Sequence, residues 1–334
     1  MKQRIVVICP GRGSYTRECL GSLCLSPSVL AADAFRQTLG RPGPSALDQA
    51  PEYRSALHVA GENASILTAA CGLADADMLD PTQIVAVLGN SMGWYTALIV
   101  AGALPLQEGL RLIETLGQYQ AGHVIGGQAV YPLVDADWRP LPSPELEAAL
   151  QQIPDLFWSI RRGGQAVLGG SLPALAELQK RLPPRKIGER EAPFTLPLHS
   201  AFHTPLLQSS AFRARVDLAG LQWRAPLLPL IDGRGQIFRP RWADPGTLAD
   251  YTLGAQITAP YDFSSSLRVA LREYAPDRLV LLGPGSNLGG AIAQTLIAEG
   301  WQGIRSRSDF LARQAESPFL LAMGRPEQRA LIVV

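Results

Sequence analysis

Histidine and charge are both scarce in this chain. Its 334 residues include four histidines, His58, His123, His199 and His203, and Asp, Glu, Lys and Arg together make up 18%. A net charge of +1 supplies no field that would draw nucleic acid or an anionic membrane to the surface, so neither is expected as a partner. Cysteine is as sparse. Cys9, Cys19, Cys24 and Cys71 form no Cys-x-x-Cys pair, and no histidine cluster could complete a zinc site, so no metal centre is expected. The four read as small hydrophobes in a reducing cytoplasm. Long apolar runs are missing too. The segment from Ile5 to Cys9 is cut off by Pro10-Gly11 before it could form a signal-peptide core. Residues 97–104 fall far short of the roughly 18 residues of a membrane span. The expectation is a cytoplasmic protein.

What is present is apolar material, 47% of the chain, enough for a sizeable core in one large domain with an insertion or in two domains. The most informative stretch is Gly89-Asn90-Ser91-Met92-Gly93. An apolar, strand-like run, residues 84–88, precedes it and a helical pattern begins with Trp94-Tyr95. Strand, Gly-x-Ser-x-Gly turn and helix together place a serine hydroxyl at the end of a sheet, with helix N–H groups aimed at the same spot. That context makes Ser91 a candidate nucleophile; the plainer alternative is a helix-capping serine.

The rest of the chain reads as α/β. The segment 5–9 is a short, buried, parallel-type strand followed by the loop Gly11-Arg12-Gly13-Ser14, at the sheet edge where ligands bind in open α/β folds. Residues 29–78 are helical with a break near 40–45, and 104–120 are helical again. Between 128 and 182 the pattern is strand, helix, strand, strand, helix, which suggests a small ferredoxin-like α+β insert, with the charged run 185–191 as the way out. Residues 278–282 form another buried strand leading into Gly283-Pro284-Gly285. The expected organisation is a core of residues 1–124 and 196–334 around an insert of residues 125–195. The tail from about residue 306 gives no reading.

A serine needs a base. His58 and His123 stand in helical or loop context without catalytic neighbours and read as surface or capping residues. His199 and His203 share the segment Pro197-Leu198-His199-Ser200-Ala201-Phe202-His203-Thr204-Pro205, and spacing does not choose between them.

Four motifs in order carry a resemblance. They are Pro10-Gly11-Arg12-Gly13-Ser14, Gly89-Asn90-Ser91-Met92-Gly93-Trp94-Tyr95, Ala201-Phe202-His203-Thr204-Pro205-Leu206-Leu207, and Gly283-Pro284-Gly285. Over roughly residues 5–300 the chain resembles the malonyl-CoA:acyl-carrier-protein transacylases and the acyltransferase domains of polyketide synthases. The resemblance implies an α/β-hydrolase-like core with a parallel sheet and an inserted ferredoxin-like subdomain. It implies ping-pong acyl transfer through Ser91 with His203 as base, no bound cofactor, and acyl-CoA and the phosphopantetheine of an acyl carrier protein as substrates. It places the backbone N–H groups of Met92 and Arg12 in an oxyanion hole, and Gly11, Asn90, Trp94, Leu116 and Phe202 around the substrate.

Three positions depart from the family pattern. Asn90 stands where the family has histidine and Trp94 where it has glutamate. Leu116 stands where members that take malonyl groups carry an arginine that pairs with the free carboxylate. A leucine offers no donor, so the expected acyl group is uncharged, unless Arg12 or Arg161 supplies the cation instead. The alternatives to a transferase are a hydrolase that clears acyl groups from carrier proteins and a non-catalytic docking member of a synthase assembly.

Overall fold

The computed structural model describes residues 2–333. Its main sheet has six strands in the order Ile237–Phe238, Leu230–Ile231, Ile84–Gly89, Ile5–Cys9, Arg278–Leu281 and Leu320–Ala322. All neighbours run parallel except the first pair. Ile5–Cys9 is buried along its whole length, as a strand covered on both faces by helices must be, which explains its unbroken apolar sequence. Register places Ile8 beside Leu88 and Cys9 beside Gly89. The loop after each strand therefore leaves the same sheet edge, and the Gly11-Arg12 turn lies against the Asn90-Ser91 turn.

A second, five-stranded sheet runs in the order Tyr261–Asp262, Leu156–Arg162, Gln165–Gly170, Gly127–Pro132 and Phe194–Thr195. Helices Pro144–Gln152 and Leu172–Arg181 complete a ferredoxin-like βαββαβ unit. Two features go beyond the sequence reading. The charged run at 185–191 is a small hairpin of Arg185–Ile187 and Arg190–Ala192, not a simple exit segment. The edge strand Tyr261–Asp262 comes from outside the insert and pairs in parallel with Ile160 and Arg161.

Strand alternation sends the two faces of this sheet to different cores. Ala129, Tyr131 and Leu168 pack with Leu175 and Leu178 of the insert's own helix. Val130, Ile160 and Val167 join the large core of the main sheet. The face turned toward the main sheet is thus the one that can line a cleft between the two. The unread tail also contributes, with helix Arg307–Glu316 and a strand on the sheet edge. Among the described residues no helix is long and apolar enough to cross a membrane.

Candidate active site

Ser91 follows the strand Ile84–Gly89 and precedes the helix Gly93–Val100. It adopts φ 55°, the left-handed region, where a residue with a side chain is strained by about 1–3 kcal/mol. The sharp turn is therefore taken by the serine itself. The flanking glycines serve close approach: a Cβ on Gly89 would strike the backbone of Gly93, and one on Gly93 would strike the Cys9 carbonyl. Gly11 has the same role, since a Cβ there would lie 2.6 Å from the Asn90 carbonyl oxygen. Asn90 N–H donates to the Cys9 carbonyl at 2.9 Å, tying the turn to the neighbouring strand.

His203, also left-handed at φ 58°, is buried with Nε2 2.7 Å from Ser91 Oγ. Its Nδ1 lies 2.6 Å from the carbonyl oxygen of Gln256. A carbonyl can only accept, so Nδ1 carries the proton and the lone pair on Nε2 faces the serine hydroxyl, as a general base requires. The carbonyl is free because helix Gln256–Thr258 ends there, leaving its last oxygens without partners in the helix. The Gln256 side chain holds the turn as well. Its Nε2 donates to the Ser91 carbonyl at 3.1 Å, and its Oε1 accepts from Tyr95 Oη at 2.6 Å. Neither Gln256 nor Tyr95 was singled out from sequence; a backbone acceptor has no side-chain signature.

Burial lowers the His203 pKa to about 4, against the opposing pull of the Gln256 carbonyl. Burial also lowers His199, to about 3, helped by the charges of Arg12 and Arg162. Both imidazoles are neutral at physiological pH. The acid limb of acyl-enzyme formation is expected near pH 4; a limb near 6.5, the ordinary histidine value, would contradict this assignment. For stability the sign follows from proton uptake. Between pH 6.5 and about 4 the unfolded chain binds protons at these histidines and the folded one does not. Stability is full above pH 6.5 and falls as the pH drops, by roughly 1.4 kcal/mol per unit for each group. Urea midpoints at pH 7.5 and pH 5 measure the slope, and equal midpoints would contradict it.

The cleft between the two sheets has a volume of about 860 Å³, and Ser91, Asn90, Met92, Leu116, Phe202 and His203 all line it. Met92 N–H and Arg12 N–H have no acceptor within the described residues, which leaves both available to an incoming oxygen. Trp94 is placed differently from the expectation. It is fully buried, donates from Nε1 to Thr252 Oγ1 at 2.9 Å and packs against Phe238 and Tyr251, away from the cleft. Gly11 does not line the cleft; it backs Asn90. His199 does line it, four residues from the base, but its Nδ1 lies 2.8 Å from Gln128 Oε1 and not near Ser91. His58 is buried, with both ring nitrogens near backbone carbonyls and Tyr53 stacked on its ring, so it is a core residue rather than a surface one. His123 is exposed. Arg161 is exposed and lies over the Trp158 ring at 4.0 Å, whereas its neighbour Arg162 lines the cleft. Three of the four cysteines are buried and Cys24 is half-buried.

No protein-family model matches the chain. Among curated proteins it is similar to the malonyl CoA-acyl carrier protein transacylase of Escherichia coli (strain K12). The two are 26% identical over 145 residues, covering 43% of this chain and 46% of that protein. It is also similar to a phenolphthiocerol/phthiocerol polyketide synthase of Mycobacterium bovis, 31% identical over 147 residues, covering 43% of this chain and 7% of the synthase. The chain thus spans less than half the length of these curated relatives. Among solved structures, the malonyl-CoA:ACP transacylase of Synechocystis sp. PCC 6803 matches with a TM-score of 0.76 at 17% identity, covering 98% of this chain and 99% of that one. The resemblance carried by the four motifs is borne out, and the α/β fold is shared along almost the whole chain.

Proposed function

We propose that this protein is an S-acyltransferase that moves an acyl group from coenzyme A to an acyl carrier protein through an ester on Ser91. The observation that carries the reading is the relay at the cleft: Ser91 Oγ 2.7 Å from His203 Nε2, with Nδ1 held by the Gln256 carbonyl. Ser91 Oγ attacks the thioester carbonyl while its proton passes to His203 Nε2. The oxyanion of the tetrahedral adduct is met by the N–H groups of Met92 and Arg12. Collapse expels the coenzyme A thiolate, which takes the proton back from His203. In the second half-reaction the carrier's pantetheine thiol gives its proton to His203 and attacks the Ser91 ester. The collapsing adduct then returns the proton to Ser91 Oγ. The malonyl CoA-acyl carrier protein transacylase of E. coli, similar over less than half its length, supports the choice of acceptor.

Initial rates test the reading. Double-reciprocal plots against acyl-CoA at several carrier-protein concentrations should be parallel, as a ping-pong transfer requires. Intersecting lines would overturn it. Free acid released equally fast without carrier protein would make the enzyme a hydrolase instead.

A further inference from the structure

Leu116 lines the cleft from helix Leu106–Gln118 and offers no donor. Taken alone it implies an uncharged acyl group. The rest of the cleft carries the opposite signal. Two guanidinium groups line it, those of Arg12 and Arg162, and no Asp or Glu does. Neither arginine forms a salt bridge within the described residues. Each has a buried Nε with no hydrogen-bond partner. Arg12 is oriented by the carbonyls of Val59 and Leu198, at 2.9 and 2.8 Å, and lies over the Phe202 ring. Arg162 is oriented by Gln165 Oε1 at 2.6 Å. Both act on His199, so their charges converge on the part of the cleft that His199 lines.

Burial lowers both guanidinium pKa values only to about 10, so both remain charged at neutral pH, with Glu62 the one carboxylate that offsets Arg12. Buried charge without a counter-ion is costly, and an anionic ligand removes that cost. A guanidinium with free donors is matched to a carboxylate.

We propose that Arg162, assisted by Arg12, determines acyl specificity by binding a free carboxylate on the acyl group. The grip comes from the insert's sheet and the loop after the first strand, not from helix Leu106–Gln118. This rests on the proposed transfer through Ser91 and names the substrate class of that site: acyl thioesters with a second, free carboxylate. It replaces the uncharged acyl group implied by Leu116.

The test compares malonyl- and succinyl-CoA with acetyl- and butyryl-CoA on wild type, R162M, R162K and R12Q. The expected result is a wild-type preference for the carboxylated pair. In R162M the ratio of the two kcat/KM values should fall about 10- to 150-fold, the worth of one charge-assisted hydrogen bond. R162K should recover part of the loss, and R12Q should move the ratio in the same direction. Labelling of Ser91 by a fluorophosphonate reports that each variant is folded. Repeating the series with N-acetylcysteamine thioesters, which lack phosphate, separates the two sources of negative charge. A ratio shift that persists supports the acyl carboxylate. A loss that is equal for both acyl classes and disappears without phosphate would assign the arginines to the cofactor tail and overturn the proposal. Wild-type preference for acetyl or butyryl groups would overturn it while leaving the transferase reading intact. Failure of every acyl-CoA to load Ser91 would instead overturn the transferase reading itself.

Discussion

Ser91→Ala should abolish the acyl-enzyme and lower turnover by on the order of 10⁴-fold or more, the scale on which loss of a covalent nucleophile acts. No other hydroxyl or thiol is placed to replace it: the cleft's His203 Nε2 faces Ser91 Oγ alone among side-chain hydroxyls of the described residues. Intact-mass spectrometry after incubation with acyl-CoA measures the adduct, and an adduct that persists on the alanine variant would rule out Ser91. The same position carries a stability test. Because Ser91 sits at φ 55°, Ser91→Gly should be more stable than Ser91→Ala by about 1 kcal/mol, since glycine takes that conformation without a Cβ penalty. Both variants lack the hydroxyl, so the comparison isolates the backbone strain from the lost hydrogen bond.

The second large effect belongs to His203. Removing a general base costs roughly 10²–10⁴-fold in rate, and His203→Ala should fall in that range. His199→Ala should cost much less, because its ring is held by Gln128 and its pKa near 3 is set by surroundings that do not include Ser91. Initial rates on the two variants decide the matter. If His199→Ala were the more damaging change, the relay described here would be misassigned.

Much of this site was legible in the sequence because its parts are local. A strand, a Gly-x-Ser-x-Gly turn and a helix occupy adjacent residues, and Ser91 is where that pattern puts it. The choice between His199 and His203 was not local. The two are four residues apart, and what separates them is contact with residues 91 and 256, far away in sequence. The arginines failed for a different reason. Simple alternation along the strand Leu156–Arg162 puts Trp158, Ile160 and Arg162 on one face and Arg161 on the other. The register shifts between Trp158 and Ile160, a bulge that reverses the parity beyond it. Trp158 packs on the insert's own core with Arg161 over its ring, while Ile160 and Arg162 turn to the cleft. Nothing in the residues themselves marks that bulge. Trp94 misled in the opposite direction: its place beside the nucleophile suggested substrate contact, but the helix beginning at Gly93 rotates its side chain into the core.

The central claim is that an acyl group rests on Ser91 and then leaves to a thiol. The direct test loads the wild-type protein with acyl-CoA, removes the excess, adds an acyl carrier protein bearing phosphopantetheine, and follows both masses with time. The account predicts that the enzyme first gains one acyl mass on the peptide containing Ser91. It then loses that mass as the carrier protein gains it. An enzyme that never gains mass, or an acyl group mapped to a residue other than Ser91, would contradict it.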